Sequence, residues 1–131
     1  MPVNKERLSL GTAALRSGEY PQASGCLRQD SGYCCLGVLT EVAIANGLSL
    51  KSFRTVGDNG HWVYGSFGET GALTSEVREW YGFADSNPKL RHNGTETTAI
   101  GANDELRKDF AWIADAFDDT YGAQEATDAG A

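Results

Sequence analysis

Three glycines set the grain of this chain. Gly18, Gly47 and Gly82 each stand just past a segment whose apolar residues recur at helical spacing. Glycine there ends a helix, because it takes the left-handed conformation without a Cβ penalty. Gly57, Gly60, Gly65 and Gly68 instead bracket short aromatic and β-branched runs. The chain is thus cut into short helices and short strands.

Residues 4–17 predict the first helix, with Asn4 as N-cap and Leu8, Gly11, Ala14 and Leu15 along one stripe. Pro21 keeps the helix from resuming. "GCLRQDSGYCC", residues 25–35, predicts a hairpin turning at "QDSG". A helix follows through "LGVLTEVAIANG", with Leu36, Leu39, Val42 and Ala43 on one face. "KSFRTV" and "HWVYGSF" predict a second hairpin around "GDNG". "LTSEVREWYGF" reads as a short helix capped by Thr74 or Ser75, with Val77, Trp80 and Tyr81 facing inward. "NPKLRHNGTETTAI" offers two strands around "HNGT", or an extended loop with a turn there. "ANDELRKDFAWIADAFDDTY" predicts one continuous last helix, capped by Asn103 or Asp104, with Leu106, Phe110, Ile113, Ala114 and Phe117 inward.

Helices and hairpins in this order predict an α+β fold rather than βαβ repeats. The expectation is a single domain over residues 1–121: one small antiparallel sheet of short hairpins packed by about four helices. Residues 122–131, small and polar, are expected to form a mobile tail.

Charge narrows the function. Eleven basic and eighteen acidic residues give a net charge of −7, which disfavours nucleic acid as a partner. "DELRKDFAWIADAF" has too few basic residues for a DNA-reading helix. No run approaches eighteen apolar residues, and the N-terminus lacks the apolar core of a secretory signal. These features predict a cytoplasmic protein with no membrane partner.

Cys26, Cys34 and Cys35 are an odd set with no Cys-x-x-Cys spacing, and His61 and His92 lie far away in sequence. Neither a disulfide framework nor a metal site is expected, and Cys34 and Cys35 read as core. No catalytic residue and no cofactor is singled out. His61, Cys35 and Asp104 would have to converge for an enzyme that cleaves nucleotides.

The candidate ligand-binding residues are Arg16, Tyr20, Gln22, Arg28, Tyr33 and Trp62. Arginine pairs with phosphate through its planar fork, tyrosine and tryptophan stack on a base, and glutamine reads an amide or base edge. Structural roles compete with this. Arg16 can cap a helix end, Gln22 and Arg28 can bond loop carbonyls, and Tyr33 can fill core. The glycines of "GDNGHWVYGSFG" would let backbone approach a phosphate, but a plain hairpin with Trp62 and Tyr64 on one face explains them as well.

"LRSGEYPQASGCLRQDSGYCCLGVLTEVA" resembles the opening of a large group of small tailed-phage accessory proteins, patterned L-R-S-G-x-Y-x-Q, then L-R, then Y-C-C-L-G-V-L. "LTSEVREWYGF", the Asn87-Pro88 pair and "ANDELRKDFAWIADAFDD" match later segments of that group in order. The group often has proline where Thr74 and Ser75 stand, which touches only a helix start. It often has glycine where this chain has Glu105-Leu106, so here the last helix is expected to run longer. The resemblance implies a phage protein working in the host cytoplasm.

Three functions follow. The first is a counter-defence protein that sequesters a small nucleotide immune signal, of cyclic ADP-ribose or cyclic dinucleotide type, in a pocket of a kind often found at a homodimer interface. The second is an acidic inhibitor that covers a basic surface on a host protein. The third is an enzyme that cleaves such signals.

Overall fold

The computed structural model describes residues 3–55, 60–66 and 68–122. Helix α1 (Lys5–Arg16) starts where the Asn4 side chain accepts the Arg7 N–H at 3.0 Å. Helix α2 (Cys35–Ala45) is the most buried element, with every residue from Cys35 to Thr40 inside. Helix α3 (Ser75–Tyr81) is capped by Thr74, which accepts from the Val77 N–H. Helix α4 (Phe110–Phe117) is capped by Asp109, which accepts from the Trp112 N–H. Gly18, Gly47 and Gly82 all take positive φ past their helices.

Helix α1 lies across α2 and α4 and touches α3. Leu8 and Leu15 enter the core from α1, and Tyr81 is wholly buried beneath them. The Tyr81 hydroxyl donates to the Leu39 carbonyl at 2.6 Å, so the one polar atom of that ring is satisfied. Gly37 lets α2 dock on the first hairpin. A Cβ there would lie 1.7 Å from the Leu27 carbonyl oxygen, which no side-chain shift relieves.

The α+β class holds, but the single expected sheet is three two-stranded antiparallel ribbons. They are β1 (Arg28–Gln29) with β2 (Gly32–Tyr33), β3 (Ser52–Arg54) with β4 (Trp62–Tyr64), and β5 (Lys89–His92) with β6 (Thr95–Thr98). The outer sides of β2 and β4 are closed by local chain. Tyr33 N–H donates to the Pro21 carbonyl and Ala23 N–H to the Tyr33 carbonyl, which occupies the outer side of β2. Tyr64 exchanges both backbone bonds with Glu69, which occupies the outer side of β4. These two edges, already bonded, cannot add another strand.

The continuous last helix is also corrected. A π-helical turn, Gly101–Glu105, ends at Leu106, Arg107 takes φ +54°, and α4 begins afresh at Phe110. Leu106 is left 45% exposed. Asp109, not Asn103 or Asp104, caps α4. A second π-helical turn, Asp118–Gly122, follows it directly. Most of the "GDNG" turn and the expected tail, save Gly122, lie outside the described residues.

Among the described residues no helix is long and apolar enough to cross a membrane.

Candidate functional site

Arg28 and Tyr33 face each other as cross-strand partners in the first ribbon. The second ribbon is tied on beside them by the Gln29–His61 bridge and by Asp30 N–H donating to the Gly60 carbonyl. An Asp30–Arg54 ion pair braces the two ribbons. This assembly brings Trp62 to Arg28. The guanidinium carbon lies 3.9 Å from the Trp62 ring centroid and 5.1 Å from that of Tyr33. Tyr20 meets Tyr33 edge-on, with centroids 5.1 Å apart and planes at 86°.

Four of the six candidates, Tyr20, Tyr33, Arg28 and Trp62, therefore form one contiguous row. Cation–π contacts of this kind are worth about 0.5–2 kcal/mol each. They hold the guanidinium plane without using its N–H groups. Among the described residues no carboxylate lies within 4.0 Å of Arg28. Behind the row, the Tyr64 hydroxyl donates to Glu41 Oε2 at 2.6 Å. Burial first, then that bond, raises the Tyr64 pKa, and burial followed by the Glu41 charge raises that of Tyr20.

Arg16 and Gln22 are engaged elsewhere. Arg16 Nη2 donates to Asp115 Oδ1 and Asp118 Oδ2, both at 2.7 Å, tying the end of α1 to the end of α4. Those two bonds raise its pKa. Gln22 Nε2 donates to Asn103 Oδ1 at 3.0 Å and to the Lys108 carbonyl at 2.8 Å.

Asn103, expected only as a helix cap, has a role that sequence reasoning missed. It is 2% exposed, accepts from the Cys35 N–H and Gln22, and donates to the Ala23 carbonyl and to Asp104. Asp104 in turn accepts from the Gly25 N–H. The clue was a lone amide set among apolar and small residues, Ala99, Gly101 and Ala102, in the stretch before the last helix.

A family model described as Domain of unknown function (DUF8296) matches residues 4–121. The chain belongs to this family. The matched span runs from the Asn4 cap through all four helices and three ribbons. No curated protein matches the chain, and no solved structure does.

Within this family fold the buried thiols of Cys34 and Cys35 are poor nucleophiles. Burial pushes Cys34 up to about 11, with smaller opposing backbone bonds. Burial, then the neighbouring Cys34, raises Cys35 well above the ordinary thiol value. Cys35 Sγ donates to the Ala99 carbonyl at 3.4 Å. His61 sits in the ribbon with its Nδ1 3.3 Å from the Thr55 hydroxyl. Among the described residues no three His, Cys, Asp or Glu side chains are grouped to hold a metal ion. A cavity of about 570 Å³ lies along β5 and β6, where His92 pairs with Asp119 and packs edge-on against Trp112.

Proposed function

We propose that this protein binds a small nucleotide signal and sequesters it, as a phage counter-defence protein. The observation that carries the reading is Arg28, held against Trp62 and Tyr33 with no carboxylate near it among the described residues. A guanidinium stacked on rings keeps its N–H edge for a planar or tetrahedral anion. A phosphate at that edge meets a charge already oriented, so little ordering entropy opposes binding. Tyr20 and Tyr33 supply apolar wall beside it. Sequestration is favoured over thiol-dependent cleavage because Cys34 and Cys35 stay protonated at neutral pH. The phage setting rests on the resemblance of "LRSGEYPQ", "YCCLGVL" and "LTSEVREWYGF" to tailed-phage proteins.

The test is a thermal-shift panel of cyclic dinucleotides, cyclic ADP-ribose isomers, NAD, ADP-ribose and mononucleotides. A ligand at a hundredfold excess over Kd adds about 2.7 kcal/mol to the folded state. A selective shift that vanishes in Arg28→Ala, with the ligand recovered intact, supports the reading. A flat panel, or a shift unchanged in Arg28→Ala, overturns it. A flat panel would direct the search to a host protein partner.

A further inference from the structure

A separate cavity, of about 520 Å³, opens where the start of α1 meets the end of α3. Arg7, Arg78, Glu79, Trp80, Phe83 and Ala84 line it. Its charged residues are two arginines against one glutamate, a local +1 in a chain of net −7.

Each arginine has a structural task that occupies a small part of it. Arg7 Nη1 donates to the Trp80 carbonyl at 2.8 Å, and its guanidinium lies 4.5 Å from the Trp80 ring centroid. Arg78 Nη1 donates to the Phe83 carbonyl at 3.2 Å. These bonds satisfy carbonyls at the end of α3, where helical partners run out. One N–H of five is spent in each case. The only carboxylate within 4.0 Å among the described residues is Glu79, 3.7 Å from Arg78 Nη2 and 70% exposed. That separation is beyond a hydrogen bond. Two half-buried guanidinium groups thus share one cavity with most of their donors uncommitted.

We propose that this cavity is a second binding site, for the phosphate group of a small phosphorylated molecule. The two forks stand on different elements, Arg7 on α1 and Arg78 on α3, and both line the cavity. A tetrahedral phosphate accepts from both, whereas a planar carboxylate is satisfied by one fork. A dianion also matches two positive charges better than a single negative charge does. The cavity is larger than phosphate alone, and Trp80 and Phe83 give the rest of the ligand an apolar wall. This site shares no residue with the Arg28 row, so it stands or falls independently of the function proposed above.

The experiment is NMR titration of the full chain, following the tryptophan indole and arginine Nε signals. The probes are inorganic phosphate, pyrophosphate and adenosine monophosphate, with acetate as the carboxylate control. Saturable shifts at Trp80 and Arg78 with the phosphate probes, absent with acetate, are expected. Ala84→Glu places a carboxylate at an exposed position on the cavity wall without removing either carbonyl bond. It should weaken binding about tenfold or more by repelling the anion and pairing the arginines. Arg78→Gln should weaken it similarly, and Arg28→Ala should leave it unchanged. No saturable shift in the wild-type chain, equal binding of acetate, undiminished binding in Ala84→Glu, or loss in Arg28→Ala would each overturn the assignment.

Discussion

Asn103 joins the Gln22 loop, the first turn of α2 and the turn before α4 through one buried amide. Asn103→Ala would leave the Cys35 N–H and the Ala23 carbonyl without that partner. At about 1–3 kcal/mol for each buried group left unmade, a loss of about 3 kcal/mol or more is expected in urea unfolding. Gln22→Ala should cost far less, because Gln22 is exposed and water replaces its bonds. Equal costs for the two variants would mean that Asn103 is not the hub. The thiols give a pH prediction. Cys34 rises from 9.0 to about 11 on folding. Between those values the unfolded chain has released a proton that the folded chain keeps, so stability falls as pH rises from about 9 to 11. Tyr121, raised by burial to about 12, adds a loss in the same direction at higher pH. Urea midpoints measured across this range should fall in the wild type and fall less in Cys34→Ala. At neutral pH, iodoacetamide should modify Cys26 well before Cys34 or Cys35, read by mass spectrometry.

Helices α1 and α3 were legible in the sequence because cap, stripe and terminal glycine agree in each, and α2 from its stripe and terminal glycine, since Cys34 makes no side-chain cap bond. The hairpins were legible from their turns. Their failure to join into one sheet was not, since the Pro21–Ala23 and Glu69 segments that close the ribbon edges carry no strand pattern. The break before α4 was hidden for a different reason. Leu106, Phe110, Ile113 and Phe117 keep helical spacing, yet the bonds of Asn103 and the Asp109 cap outweigh the burial of Leu106. The candidate site was legible in part. The turn at "QDSG" put Arg28 opposite Tyr33, but that Trp62 would join them depended on the Gln29–His61 bridge, a contact between elements. Arg16 and Gln22 had the right chemistry for a ligand and found protein partners instead. The break itself is open to test. Arg107 is exposed at φ +54°, a conformation that costs an L-residue about 1–2 kcal/mol and glycine almost nothing. Arg107→Gly should be neutral or stabilising by up to about 1 kcal/mol, net of its added unfolded-state entropy. A clear loss of stability in urea would show that the Arg107 side chain, not its backbone, holds the reversal. Arg16→Ala, by contrast, removes an exposed pair and should cost at most about 1 kcal/mol, less at high salt.

At the scale of the whole molecule, helices hold most of the core, and the ribbons add Tyr64 and Leu90 to it. Helix α2 is enclosed by α1, α3 and the first ribbon, whereas all three residues of β3 are exposed. A two-stranded ribbon is marginal alone, and its stability comes from whatever it packs on. The second ribbon is anchored at one end by buried Tyr64, whose hydroxyl donates to Glu41 of α2, but the rest of it leans on the first ribbon through the Gln29–His61 bridge, the Asp30–Gly60 bond and the Asp30–Arg54 pair, all near the surface. Its outer part, β3 with Trp62 and Val63, should therefore open without global unfolding, while Tyr64 stays anchored. Native-state hydrogen exchange is expected to show α2 amides exchanging only by global unfolding, and those of Phe53 and Val63 much faster. Because that opening carries Trp62 away from Arg28, a ligand on the Arg28 row would slow exchange in β3 and β4 more than in α2. A phosphate in the α1–α3 cavity would not. Exchange in β3 and β4 as slow as in α2, before any ligand is added, would mean that the ribbons belong to the core and that the Arg28 row is rigid from the start.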